Sequence, residues 1–92
     1  MNLTNTIDMM CSQDFKDRFI AEYHQLKIRR DSLQNMLVNY RKGDLPFKPK
    51  CSYELLHKQL IFMDAYMNIL SERATIEGID LWKELVNHGE QE

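Results

Sequence analysis

Apolar residues recur at helical intervals along most of the chain, and no stretch shows the pattern of a β-strand. Between Ser12 and Gly43 they are spaced three, four and seven apart: Phe19, Tyr23, Leu26, Leu33, Leu37 and Tyr40. This spacing predicts a helix of about eight turns with a single apolar face. Ser12 is its expected N-cap, and Gly43 is its expected C-terminal stop.

Residues 43–51 separate this helix from a second one. The segment contains two prolines and a glycine, which no continuous helix accommodates. Its length suits a turn between antiparallel helices. Ser52 is the next N-cap candidate, and the second helix is expected to run to Glu77 and stop at Gly78.

The second helix carries two apolar stripes. One stripe consists of Leu56, Leu60, Met63, Met67, Leu70 and Ala74, and the other of Leu55, Phe62, Tyr66, Ile69 and Ile76. Together they cover about 200° of the helix circumference, of which a single partner helix buries roughly half. The terminal segments or another subunit should therefore cover the rest.

Short apolar segments flank the hairpin. Asp80 is a candidate cap for a C-terminal helix of about two turns, which contains Leu81, Trp82, Leu85 and Val86 and stops at Gly89. A helix of this length is too short to be stable alone. A helix or arm is indicated near the N-terminus by Leu3, Ile7, Met9 and Met10. The predicted fold is all-α: one helical domain over residues 1–92, with an antiparallel hairpin core at about 13–78 and short N- and C-terminal helices.

Composition and charge narrow the function classes. With 43% hydrophobic and 28% charged residues, the 92-residue chain is unlike a disordered or a membrane-spanning one. Its first residues lack the features of a secretory signal. Residues 41–50 hold four bases against one acid, whereas residues 51–92 hold eight acids against three bases. Long nucleic acid needs many neutralised phosphates and is a poor partner, but a compact ligand with two or three phosphates needs few cations.

The chain shows no familiar catalytic or metal motif. Cys11 and Cys51 fit no metal spacing or disulfide framework and are expected to be free thiols. His24, His57 and His88 are isolated in sequence and are expected on the surface or in loops. A cysteine–histidine catalytic pair is disfavoured, so we expect no enzyme activity, metal or cofactor.

Two arginines lie beside apolar positions. Arg30 follows Leu26 by four residues, and Arg73 follows Ile69 by four. Arginine is rarely buried without a partner. Two interpretations remain open: an anion site where subunits meet, or salt bridges across the hairpin or an interface to Glu22, Glu72 or Glu77.

Two sequence patterns carry a family resemblance. Residues 22–29 read Glu-x-x-x-Leu-Lys-x-Arg, and residues 59–74 read Gln-Leu-x-x-Met-x-x-Tyr-x-x-Ile-Leu-x-x-Arg-Ala. Over about residues 14–78 the chain resembles the helical hairpin of small phage proteins that sequester cyclic nucleotide signals. These are the anti-CBASS sponges and, with added strands, the anti-Thoeris sponges. Without predicted strands, the chain is more similar to the anti-CBASS type.

The resemblance implies sequestration without catalysis. Cyclic di- or trinucleotides would be bound in the host cytoplasm, in pockets between the protomers of a compact homo-oligomer, commonly a hexamer. Lys27 and Arg73 match the family's phosphate-contacting cations, Arg29 lies in the same motif, and Phe15 is a candidate for the aromatic that stacks on a base. The alternative is a helical interaction protein that inhibits a host protein by direct binding, in which Lys27 and Arg73 are ordinary salt-bridge or rim charges.

Overall fold

The computed structural model describes residues 3–82, which are helical in three segments with no strand in that range. Helix α1 spans Leu3–Met10, α2 spans Phe15–Lys42 and α3 spans Tyr53–Glu77. None of the three helices is long and apolar enough to cross a membrane. The all-α prediction is confirmed for this part of the chain, while the predicted assembly stays a prediction.

Helices α2 and α3 run antiparallel. Side chains meet across the pair in opposite order along the two helices: Phe19 with Arg73, Arg30 with Asp64, and Tyr40 with Tyr53. The predicted hairpin is therefore confirmed.

Three of the predicted helix ends are confirmed. The Ser52 hydroxyl accepts a hydrogen bond from the backbone N–H of Leu55 at 3.1 Å, which caps α3. Gly43 and Gly78 end α2 and α3 with φ of 75° and 72°, the left-handed conformation that glycine adopts without a steric penalty.

The predicted N-cap of α2 is wrong by two residues. Asp14, not Ser12, caps this helix, because its carboxylate accepts the backbone N–H of Lys16 at 2.9 Å. Ser12 belongs instead to the turn after α1, where its N–H bonds to the carbonyl of Met9. Its hydroxyl supports the cap indirectly by donating to Asp17 at 2.9 Å.

The hydrophobic core lies at the end of the hairpin away from the 43–52 turn. It is formed by Phe19, Ile20, Tyr23, Leu70, Ala74, Ile79 and Leu81. Helix α1 packs against α2, where Gln25 donates to the hydroxyl of the buried Thr6 at 3.0 Å. The N-terminal helix that the sequence indicated is therefore present and docked.

The C-terminal segment also folds back, as far as it is described. The Asp80 carboxylate accepts the backbone N–H of Trp82 at 3.0 Å, and residues 81–82 form a turn. The remaining positions of the predicted C-terminal helix lie outside the described residues: Leu85, Val86 and Gly89.

The two stripes of α3 have opposite environments. The first stripe faces α2, and each of its six residues is buried or half-buried. The second, here called the outer stripe, consists of Leu55, Phe62, Tyr66, Ile69 and Ile76, which are all exposed. The prediction that α3 has more apolar surface than one partner helix covers is confirmed, and the described terminal segments leave the outer stripe open.

Candidate ligand-binding site

An open polar groove lies between α2 and α3, with a volume of about 380 Å³. Its walls are formed by residues three or four positions apart on each helix, so each set shares one face. The lining residues are Tyr23, Lys27, Arg30, Asp31, Asp64, Met67, Asn68 and Ser71. The structure therefore places Lys27, a predicted site residue, in a concave surface.

Ion pairs organise the cations of this groove. Lys27 Nζ lies 2.7 Å from Asp31, and Arg30 Nε lies 2.6 Å from Asp64. Arg30 also contacts Asp31 at 3.2 Å and Gln34 at 2.6 Å. The hydrogen bond to Asp64 is the main reason that the pKa of Arg30 is raised. The hydrogen bond from Lys27 is the main reason that the pKa of Asp31 is lowered.

These pairings correct one sequence interpretation and leave the groove formally neutral. Arg30 does form a salt bridge across the hairpin, but its partner is Asp64 and none of the three glutamates considered. The Lys27–Asp31 pair is partly exposed, with 39% of the lysine side chain accessible. An i,i+4 pair on a helix surface contributes only about 0.3–0.5 kcal/mol, so little of the protein's stability depends on it.

A second cluster contains two more predicted site residues. The guanidinium of Arg73 lies 4.9 Å from the ring centroid of Phe19, and its Nε is 3.4 Å from Glu77. The rings of Phe15 and Phe19 are 6.0 Å apart and tilted by 57°. Phe15 and Arg73 therefore flank the same aromatic ring, and both remain exposed.

Within one protomer the four predicted residues do not form a single pocket. Lys27 follows Phe15 by twelve residues, which is about 18 Å along α2. Arg29 is exposed and points about 200° around the helix axis from Lys27. The structure thus brings Phe15 and Arg73 together, and it separates both from Lys27 and Arg29.

The sequence analysis missed four groove residues: Asp31, Asp64, Asn68 and Ser71. Asp31 has a local signal, because it follows Lys27 by one helical turn. Asn68 and Ser71 follow Asp64 by four and seven positions, which marks a polar edge of α3. Which edge faces Lys27 depends on the register of the two helices, and no local pattern gives that register.

The expectation that His24 lies on the surface is wrong. His24 is 3% exposed, and its Nε2 lies 2.7 Å from the carbonyl oxygen of Leu81. The Tyr23 and Trp82 rings pack edge-on against it. Burial lowers the pKa of His24, although the hydrogen bond to Leu81 opposes the shift. His24 is buried because the 79–82 segment folds over it.

The other predicted reactive residues lie apart from the groove. Cys11 and Cys51 are exposed and free. His57 is exposed and stacks on Tyr53, whereas His88 lies outside the described residues. Among the side chains that the structure describes, no three histidines, cysteines or acids come together as a metal site. That the protein needs no metal stays a prediction.

Comparison with known proteins gives one match. No curated protein and no solved structure matches the chain. A family model described as Sequestin matches residues 13–76, which contain all of α2, the turn and nearly all of α3. The matched range includes both the groove and the Phe15–Arg73 cluster. Since it covers well over half of the 92 residues, the chain belongs to the Sequestin family.

Proposed function

We propose that this protein binds cyclic oligonucleotide immune signals and sequesters them without cleaving them. The ligands are cyclic dinucleotides, cyclic trinucleotides or both. Held by the protein in the host cytoplasm, they do not reach the CBASS effector, so the protein acts in phage counter-defence. Membership of a family whose name denotes sequestration supports this proposal.

The observation that carries the proposal is the position of Arg73. Its spacing of four from Ile69 and three from Ile76 places this cation on the exposed outer stripe of α3. Contiguous exposed apolar surface marks an interaction site. If a second protomer covers the stripe, the guanidinium becomes part of an interface of low dielectric constant. Its ion-pair partner within residues 3–82 is Glu77, at 3.4 Å. A ligand phosphate at that boundary would stabilise the charge.

Lys27 supplies a second phosphate contact in the groove. A charge-assisted hydrogen bond from this lysine to a phosphate contributes roughly 1.5–3 kcal/mol. A phosphate of the ligand would accept a hydrogen bond from Lys27 as Asp31 does in the protomer. In a homo-oligomer, which the family resemblance implies is a hexamer, symmetry-related lysines would contact successive phosphates of one cyclic ligand.

The state of the groove's acids favours binding over catalysis. A general base must be free to accept a proton from its substrate. The hydrogen bond from Lys27 lowers the pKa of Asp31, which makes it a weaker base, and Asp64 is paired with Arg30. His24 is buried and engaged with Leu81. We therefore propose a binding protein that is not an enzyme.

Titration calorimetry with cyclic di- and trinucleotides tests the ligand and the site. Losing Lys27 from two protomers that share a ligand should weaken binding by about 3–6 kcal/mol, or two to four orders of magnitude. Lys27→Ala and Arg73→Ala should each bind more weakly than the parent, whereas Lys16→Ala, an exposed lysine on the same helix, should not. If the parent gives no heat with any cyclic ligand, the proposal fails; if both variants bind like the parent, the site is wrong.

Two further measurements test sequestration and assembly. Denaturing the loaded protein should release intact cyclic nucleotide, and release of linear nucleotide would identify a hydrolase. Light scattering should give a mass well above the 11.0 kDa of one chain. Ile69→Glu should lower that mass, because an unpaired buried carboxylate costs several kcal/mol. A monomeric parent would exclude a pocket between subunits.

One observation favours an interaction protein that inhibits a host protein by direct binding. Lys27 and Arg73 are both paired within the protomer, as rim charges of a protein interface would be. Thermal stability separates the two functions. A cyclic nucleotide at about 100 times its dissociation constant adds about 2.7 kcal/mol of stability to a sponge. It adds nothing to a protein that recognises only a host protein.

A further inference from the structure

The turn between α2 and α3 forms a second concave surface, remote from the groove. Its cavity measures about 440 Å³ and is lined mainly by Tyr40, Leu45, Pro46, Phe47 and Lys48. Tyr40 follows Lys27 by thirteen residues, or about 20 Å along α2. The volume falls within the range of small-molecule sites, which combine apolar walls with a few polar groups.

Aromatic rings form part of the cavity wall. Phe47 leaves 55% of its surface exposed, although it lies between two prolines that restrict the backbone. The Tyr40 ring is held edge-on by Tyr53 at 5.7 Å, and Tyr53 in turn stacks on His57 at 5.8 Å. The wall therefore offers an accessible aromatic face beside a ring that its neighbours hold in place.

The same turn carries uncompensated positive charge. Residues 41–50 contain Arg41, Lys42, Lys48 and Lys50 against a single acid, Asp44. Within residues 3–82 the salt bridges involve only the cations of the groove and Arg73, so these four form none. Arg41 and Lys42, with Val38, line a separate concavity of about 380 Å³. Among the carboxylates that the structure describes, none would have to be displaced from these cations by an anion at the turn.

We propose that the turn binds a phosphorylated nucleoside, with the base against Phe47 and Tyr40 and the phosphate against Lys48. A purely apolar ligand would leave the cations unused, and an inorganic anion would leave the aromatic face unused. A nucleotide uses both, since every base has a π-face that stacks on an aromatic ring. One protomer supplies the whole site, which is independent of Lys27, Arg73 and any assembly.

Adenosine monophosphate is the probe, with adenosine and inorganic phosphate as its two halves. Titration watched by amide NMR should shift the signals of Leu45, Phe47 and Lys48. Phe47→Ala removes one stacking contact and should weaken binding roughly 5- to 150-fold. Lys48→Ala removes one charge-assisted contact and should weaken it roughly 10- to 150-fold. Lys58→Ala, an exposed lysine on α3, is the matched control and should bind like the parent.

The outcomes are decisive because Phe47 and Lys48 are exposed and their replacement leaves the core intact. Circular dichroism should confirm unchanged melting of both variants. Binding of the nucleotide, but not of adenosine, should weaken between about 50 and about 500 mM salt, since salt screens exposed charges. Adenosine or phosphate binding as tightly as the nucleotide would overturn the proposal, and so would no shift at the turn. Lys27→Ala and Arg73→Ala should keep full binding here, which separates this site from the proposed cyclic-ligand site.

Discussion

Two neighbouring residues of α3, Ile69 and Leu70, point to opposite environments and allow a direct test of the fold. Leu70 is 1% exposed within the core, whereas Ile69 is 55% exposed on the outer stripe. Replacing each by alanine removes a side chain of similar size. The two substitutions should therefore have different costs in unfolding free energy, and those costs should depend differently on protein concentration.

The expected costs follow from burial. Leu→Ala at a fully buried position costs about 2–5 kcal/mol, because it loses transfer free energy and leaves a cavity. Full burial of an isoleucine contributes about 1.5–3 kcal/mol, and the protomer buries less than half of Ile69. Ile69→Ala should then cost about 1 kcal/mol or less in an isolated protomer. For a domain of this size, 1 kcal/mol corresponds to about 4–8 °C in melting temperature.

Urea unfolding followed by circular dichroism at about 1 and about 100 µM protein measures both costs. Leu70→Ala should cost the same at the two concentrations. If a second protomer covers the outer stripe, Ile69→Ala should cost more at the higher concentration, because assembly stabilises the parent by mass action. A Leu70→Ala variant no less stable than Ile69→Ala at low concentration would refute the assignment of the two faces of α3.

Three further predictions follow from the local structure. The pKa of His24 is lowered by burial, so the unfolded chain takes up the proton first, and stability should fall as pH drops below about 6.5. His24→Gln, which does not titrate, should flatten the dependence of melting temperature on pH in that range, and an unchanged slope would contradict the assignment. Ser52→Ala should destabilise the protein by about 1 kcal/mol in urea unfolding, because the Leu55 N–H loses its capping oxygen; Ser32→Ala, exposed within α2, should have little effect. Cys11 and Cys51 are exposed and should both react with a thiol reagent in the native protein, with no stoichiometric zinc on metal analysis; a single reactive thiol would contradict this.

The reliable parts of the sequence analysis rest on local chemistry. The two stripes of α3 follow from helical periodicity, and the glycine stops follow from the left-handed conformation that ends a helix. The predicted N-cap of α2 was wrong because two short polar residues that can both cap a helix, Ser12 and Asp14, lie within three positions. Ser12 lies in the turn after α1, where its backbone N–H bonds to Met9, and Asp14 caps α2.

The other incorrect predictions involve residues distant in sequence. Arg30 pairs with Asp64, 34 positions away, and His24 bonds to Leu81, 57 positions away. Both contacts depend on the helix register and on the path of the C-terminal segment, which periodicity does not encode. For Arg73 the salt-bridge interpretation named the correct partner, Glu77, but the pair forms within α3 and not across the hairpin.

The uneven position of the core has a consequence for how the hairpin opens. The large apolar cluster lies at the end where α1 and the 79–82 segment pack, whereas Leu37 and Leu60 are the buried hydrophobics nearer the turn. Local opening is easiest where few apolar contacts must break. Backbone amides around Tyr23 should therefore exchange with deuterium only through global unfolding, while those flanking residues 43–52 exchange through opening of that end alone. Any ligand held at the turn would slow that local exchange before it altered the global rate.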